Sequence, residues 1–353
     1  MVQGRSIDVE TAHGRVQFNY FISTPQDTFA HEIDPQLPTL LFLHPAGLAS
    51  PAWHFQFTDP SLRRFNLVAL DSLSHGKTKG DVPEVYGQVE MARDVAAFME
   101  TIKLPPCIIV GLSLGTIIGL QLALLYPKRS LACILCRHLE QRRQPEDVQA
   151  GRREIWSTWC EMFVGGDIEE ETLVHCMFGG IQLAFNGLNG NMVRTIARMI
   201  LADSIQRWGP GKFDAKLKTT VNVLTDRKSY DLQTLAQLSS IPLALVHCSE
   251  DIAFPKEYLE VFISQLCAAG VGFDVHDIPG APHFGSVTHS QLINPTLACF
   301  VENHWNGPDL PGVKASSEFK SPFEEGMRKL GWKDDGDGSG EDSDDNQSFL
   351  VPS

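Results

Sequence analysis

Apolar residues in this chain fall into two spacings. Short saturated runs occur at Thr39–Leu43 (TLLFL), Phe65–Leu70 (FNLVAL), Pro106–Val110, Leu131–Cys136 and Pro242–His247 (PLALVH). Runs of that length predict strands buried on both faces. Arg15–Ser23 alternates in part and reads as an early antiparallel strand, and Gly272–Asp277 reads as a late strand. Between these, Tyr86–Ile102, Thr116–Leu125, Lys256–Ala269 and Ser290–Asn303 carry helical patterns. Strands alternating with helices predict an α/β fold with a doubly wound, mostly parallel sheet.

The alternation stops between Arg137 and Ser240, where only helical patterns appear: Pro145–Phe163, Ile168–Met177 and Asn191–Arg207. Because the strand pattern resumes at Pro242, this stretch is an insertion between two strands of one sheet. A helical cap over the strand ends is the expectation. The expected division is a core of residues 1–136 and 241–304, a cap of 137–240, and a tail of 305–353.

Charge changes the picture mainly at the tail. The chain of 353 residues carries a net charge of −14. From Asp309 onward there are eleven acids and five bases, so this stretch supplies −6 of it. The segment DDGDGSGEDSDD at 334–345 has no apolar side chain, and disorder is expected because it cannot offset its chain entropy. A short capped helix is expected just before it, where Ser321-Pro322 is followed by Glu324, Glu325, Met327, Leu330 and Trp332, docked either on the body or on a partner. The tail is a candidate for binding a protein partner. The acidity argues against nucleic acid or an anionic membrane as partner. MVQGRSIDVETAHGRV lacks an apolar signal region, and no apolar span approaches twenty residues. A cytoplasmic protein with no membrane insertion is expected. Most of the eight cysteines sit in apolar segments, as buried thiols do in a reducing compartment. Cys133 and Cys136 form a C-x-x-C, but on a strand residues three apart point to opposite faces, which argues against a metal or redox pair.

The candidate chemistry begins at Gly111-Leu112-Ser113-Leu114-Gly115. Alone, G-x-S-x-G is a weak pattern. Here it joins a buried strand to a buried helix, and so abrupt a turn strains the central residue while the flanking glycines clear space around it. Ser113 then stands above the strand ends as a nucleophile elbow. A serine hydroxyl needs a histidine to take its proton and an acid to orient that histidine. In open α/β sheets such groups fall just after strands. Among twelve histidines, His283 follows the last strand in DIPGAPHFG; His289 falls at a helix start, His247 inside a strand and His175 in the cap. His44 and His75 end strands in turns suited to other tasks. Asp251 follows Pro242–His247 and is favoured over Glu250, its shorter side chain orienting a histidine more rigidly. The alternative reading of Asp251 is a helix N-cap beside Pro255. Oxyanion donors are expected from the N–H groups of Leu114 and of Ala46, with Gly47 in reserve, because Pro45 has none.

These elements together resemble the α/β-hydrolase superfamily from about residue 15 to 304. Ser113, Asp251 and His283 follow that family's serine–acid–histidine order, with a cap after the strand that follows the elbow. Asp71-Ser72-Leu73-Ser74-His75-Gly76-Lys77-Thr78 is similar to its D-x-x-G-H-G-x-S turn. Ser74 departs from it by replacing glycine, and Pro45 departs from the usual H-G-x turn. The resemblance implies Ser113 as nucleophile, Asp251 as acid, His283 as base, and Leu114 and Ala46 as oxyanion donors. It implies hydrolysis of an ester, lactone or thioester, with a small-molecule acyl substrate as partner. Carbon–carbon bond hydrolysis or lyase chemistry on the same triad is the alternative, as is a non-catalytic binding protein on this fold. No phosphate loop, metal cluster or dinucleotide motif appears, so no cofactor is expected. In the cap, Trp156, Trp159, Met162, Phe163, Met177, Phe178, Phe185, Met192, Met199 and Trp208 read mainly as internal packing, with some left to line an apolar pocket. Arg142, Arg143, Arg152 and Arg153 read first as a solvated helix face, with contact to an anionic substrate tail as the alternative.

Overall fold

The computed structural model describes residues 4–136, 146–163, 170–315 and 319–333. Eight strands form one sheet in the order β1-β2-β4-β3-β5-β6-β7-β8. They are β1 (Arg5–Thr11), β2 (Gly14–Ser23), β3 (Thr39–Leu43), β4 (Asn66–Leu70), β5 (Cys107–Leu112), β6 (Ser130–Cys136), β7 (Leu243–Cys248) and β8 (Asp274–Ile278). β1 and β2 pair antiparallel, β2 joins β4 antiparallel, and every later pairing is parallel. The central strands β3 to β7 are buried along their whole length but for Leu131 in β6, which accounts for their saturated composition. β1 was not anticipated. Its Ser6, Asp8 and Glu10 alternate with Ile7 and Val9, but only Val9 is buried, the pattern of an edge strand with a weak apolar face.

The long helices are α1 (Gln88–Thr101), α2 (Leu114–Leu125), α3 (Glu146–Glu161), α4 (Glu170–Phe185), α5 (Asn191–Trp208), α6 (Lys256–Ala268) and α7 (Ser290–His304). α1, α2 and α6 cover one face of the sheet, and α7 with residues 48–57 covers the other. Cys133 packs in the first layer and Cys136 in the second, so the C-x-x-C is divided by the sheet. Burial pushes the Cys133 thiol up to about 12, leaving it unreactive near neutral pH. Between β6 and β7 the described residues are helical: α3, α4 and α5, then a bent helical run over Phe213–Thr225 whose middle, Leu217–Asn222, winds wider than an α-helix. Val193, Ile196, Ala197 and Met199 of α5 join the second core layer, so this insertion is anchored on the body.

The stretch from 305 onward is not uniformly a tail. A short helix, α8 (Glu324–Lys329), forms after Ser321-Pro322 as the sequence predicts, and it docks on the body. Phe323 is fully buried, with its ring 4.7 Å from Phe21 and 5.2 Å from Phe57. Met327 is also buried, and Trp332 packs edge-on against His54 at 4.6 Å. Backbone carbonyls of the segment accept from Arg63 (at Lys320), Arg198 (at Leu330) and Asn191 (at Lys333). The segment therefore touches both the sheet side and α5. Of its two possible docking sites, the body rather than a partner is the one observed. The acidic stretch 334–345 lies outside the described residues, as do Arg142, Arg143 and Ile168. Phe323→Ala is expected to lower unfolding free energy by about 3–5 kcal/mol, measured by urea denaturation.

Candidate active site

Ser113 lies between the end of β5 and the first residue of α2 with φ 54° and ψ −110°. L-residues seldom adopt that region, and they hold it only where the surroundings dictate it. Packing of α2 supplies the constraint. A Cβ at Gly115 would lie 1.9 Å from the Leu43 carbonyl oxygen, and one at Gly111 would lie 2.4 Å from the Gly115 oxygen. Both glycines are required by contact rather than by dihedral angle. The elbow is also tied sideways to β6. The Ser113 N–H donates to the Cys136 carbonyl at 3.2 Å, and the Thr116 hydroxyl lies 3.0 Å from both the Gly111 and Cys136 carbonyls.

The structure brings the three side chains nominated from sequence together. Ser113 Oγ is 3.1 Å from His283 Nε2, and His283 Nδ1 is 2.9 Å from Asp251 Oδ2. All three residues are buried. A carboxylate only accepts, so Nδ1 carries the imidazole proton and the Nε2 lone pair faces the serine hydroxyl. Asp251 uses its other oxygen locally: Oδ1 accepts the N–H groups of Ala253 (2.9 Å) and Phe254 (3.1 Å). The orienting reading of this residue is realised; the helix-cap reading is not, because the N-cap of α6 is Pro255 and Oδ1 instead closes the turn that precedes the helix. Glu250 is exposed. His289 sits at the start of α7 and contacts Thr288, and His247 pairs with Asp277. The side chain of His175 lies outside the described residues.

The turn after β3 is held by two histidines. The Ser72 N–H donates to His44 Nε2 at 2.9 Å, which makes Nδ1 the protonated nitrogen, 2.8 Å from the Pro45 carbonyl. The Gly47 N–H donates to His75 Nε2 at 3.3 Å, so His75 Nδ1 donates to the Leu73 carbonyl at 3.1 Å. Gly47 is thereby occupied. The Ala46 N–H has no partner among the described residues, and Leu114 opens α2 where no helical carbonyl precedes it. Behind this turn the buried Asp71 accepts from the Ser50 N–H and hydroxyl, the Asn19 amide and the Lys77 N–H. Gly76 has φ 48°, and a Cβ there would lie 2.1 Å from an Asp71 oxygen. Ser74, where glycine was expected, holds φ 65° and accepts the Trp208 indole N–H at 2.9 Å. No local pattern signals that contact, because Trp208 lies 134 positions away.

Above Ser113 is a cavity of about 240 Å³ between the sheet and the inserted helices. Ala46, Ser113, His283, Phe254 and Phe284 form its floor side, and Trp156, Trp159, Trp208, Ile181 and Leu224 line the rest. Of the remaining aromatic and methionine candidates, Met162, Phe185 and Met199 are internal packing, while Phe178 is exposed. Met177 has its side chain outside the described residues. The insertion meets the histidine loop directly: the Phe284 N–H donates to the Ala184 carbonyl at 2.8 Å, and the Phe284 ring stacks edge-on against Phe185. The two described arginines divide between a solvated face and the cavity. Arg153 is exposed and pairs with Asp226, but Arg152 turns into the cavity.

Comparison with known proteins agrees with this fold. The family model described as the alpha/beta hydrolase fold matches residues 38–289. "Putative carbamate hydrolase RutD" of Serratia proteamaculans is 35% identical over 94 residues, 27% of this chain and 35% of that protein. Protein phosphatase methylesterase 1 of Homo sapiens is 35% identical over 106 residues, 28% of this chain and 27% of that one. The chain thus spans about a third of the length of these curated relatives. The thermophilic esterase from Thermogutta terrifontis superposes with a TM-score of 0.66 at 16% identity, covering 85% of this chain and 99% of its own. The enol-lactonase from Burkholderia xenovorans LB400 gives 0.61 at 16% identity, over 84% and 100%.

Burial lowers the pKa of His44 and His75 below the usual 6.5, and that of His54 to about 3, chiefly because a charged imidazole would lose its hydration. In the unfolded chain these groups protonate freely. Their contribution is present above about pH 6.5 and is lost as pH falls below it, at up to ~1.4 kcal/mol per pH unit for each. Urea denaturation between about pH 7 and pH 5 should show this loss, which shrinks by one imidazole's share in His54→Phe.

Proposed function

The chain belongs to the α/β-hydrolase family, and on that footing we propose that it is a serine hydrolase acting through an acyl-enzyme on Ser113. The observation that carries the reading is the unbroken contact Ser113 Oγ, His283 Nε2, His283 Nδ1, Asp251 Oδ2, with both distances near 3 Å. His283 takes the hydroxyl proton as Oγ attacks the carbonyl carbon. The tetrahedral oxygen that forms lies toward the N–H groups of Leu114 and Ala46, which stabilise its charge without reorganising. His283 then returns the proton to the leaving oxygen, and water repeats the sequence to release the acid. Asp251 keeps the imidazole in the tautomer that points its lone pair at the serine and stabilises the imidazolium.

The largely apolar cavity supports a small to medium substrate with a carboxylic ester or lactone bond. A serine at the elbow supports acyl transfer over direct attack on carbon by a carboxylate. Cleavage of a carbon–carbon bond would use the same three residues, so the two chemistries are separated by assay. A panel of aryl esters, lactones and vinylogous diketones is expected to show turnover of the first two.

Ser113→Ala and His283→Ala should each lower kcat on a responsive ester by roughly 10⁶-fold, and the double variant should be no worse than either single one. Asp251→Asn keeps an oxygen for the Ala253 and Phe254 N–H groups but presents an amide to His283, so a loss of roughly 10⁴-fold without unfolding is expected. A fluorophosphonate probe should label the parent protein and not Ser113→Ala; absence of labelling in the parent would instead support a binding protein.

A further inference from the structure

The cavity above Ser113 contains a cation that hydrolysis of a neutral ester does not use. Arg152, on the second turn of α3, lines this cavity together with Ser113 and His283. Its guanidinium carbon lies 5.7 Å from the centre of the Phe254 ring, and that ring centre is 5.2 Å from the centre of the His283 imidazole. Arg152 therefore stands one aromatic ring away from the proposed base. Its Nε is sealed from solvent without a hydrogen-bond partner, and the residue forms no ion pair among the described residues. Burial lowers its pKa only to about 10, so it remains cationic at neutral pH.

Asp226 pairs with the neighbouring Arg153, and Asp214 and Glu84 both pair with Lys218. No aspartate or glutamate lines the cavity among the described residues. Lys216 also lines the cavity, its Nζ 3.9 Å from the Trp159 ring centre and 4.7 Å from that of Trp208. The indole N–H groups of Trp156, Trp159 and Trp208 are all spent on protein oxygens, so the tryptophans offer ring surface rather than donors. Among the described residues the cavity is thus an apolar chamber in which Arg152 meets no acid. Keeping a guanidinium there is unfavourable unless an anion arrives to complete it.

We propose that the substrate of this site carries a carboxylate remote from the bond that is cut, and that Arg152 is the residue that binds it. The proposal rests on the serine-hydrolase reading for the position of the scissile bond. A guanidinium presents two parallel N–H donors that match the two oxygens of a carboxylate. With the ester carbonyl at Ser113, the carboxylate reaches Arg152 across the Phe254 ring, and the spacer between them lies on the apolar wall formed by Ile155, Trp156 and Ile181. Half-esters of short dicarboxylic acids, and esters or lactones bearing a side-chain carboxylate, are the substrate class that fits.

Binding can be read apart from catalysis in Ser113→Ala by titration calorimetry with p-nitrophenyl hydrogen glutarate, which is anionic, and p-nitrophenyl methyl glutarate, its neutral counterpart. The anion should bind about tenfold tighter or more, equivalent to ~1.4 kcal/mol. Adding Arg152→Met should bring the two within about threefold, whereas Arg153→Met should leave the preference in place. Equal affinity, preference for the neutral ester, failure of the anion to bind at millimolar concentration, or survival of the preference in Arg152→Met would each overturn the proposal. Turnover separates it from the reading beneath it: if Ser113→Ala hydrolyses either ester at the parental rate, the nucleophile assignment fails whatever the calorimetry gives.

Discussion

The site depends on how closely α2 approaches the sheet. Its first turn lies against the Leu43 carbonyl with no room for even a methyl group at Gly115. That contact leaves the chain a single abrupt route from β5 into the helix, and the route passes through a left-handed backbone at Ser113. Non-glycine residues hold such a conformation at a cost of about 1–3 kcal/mol, so the surrounding packing must over-determine it. Two anchors do so: the Ser113 N–H on the Cys136 carbonyl, and the Thr116 hydroxyl between two strand ends. The hydroxyl is therefore positioned by backbone packing rather than by its own rotamer preferences, and His283 needs only to meet it.

The opposite wall is organised by neutral imidazoles. His44 and His75 each accept from a backbone N–H and donate to a carbonyl, so each clamps two points of chain with one ring. A clamp of this kind requires the rings to stay uncharged, because a protonated ring could not accept. Full burial enforces that state. The clamps also decide which N–H groups remain for a ligand: Gly47 is taken by His75, and Ala46 is left. Asp71 supports the same region from behind by gathering donors from β2, the turn after β3 and the turn after β4.

Much of this was legible in the sequence because it follows from local rules. Saturated runs mark central parallel strands, and ligand-facing groups follow strand ends, which was enough to select Ser113, Asp251 and His283 from many candidates. The two-sided packing of Cys133 and Cys136 followed from strand periodicity alone. What escaped depended on distant parts of the chain. β1 has too few buried residues to announce itself, and the helix around Met327 and Trp332 carries no local mark of which surface it docks on. Arg152 and Arg153 are adjacent and identical in type, and only the rotation of α3 sends one inward and the other to solvent. Periodicity assigns faces to a helix but does not say which face has a chamber beneath it.

Ser74 ties two distant positions into one unit of inheritance. Its backbone occupies a region where glycine is at ease, and the side chain that makes this costly is the one that receives the indole of Trp208. If the indole is lost, the serine keeps its strain and forfeits its compensation. If glycine replaces serine, the indole loses its acceptor. Descendants of this chain can accordingly relax both positions together or keep both, and the roof of the chamber and the turn beneath the proposed oxyanion site are obliged to evolve as partners.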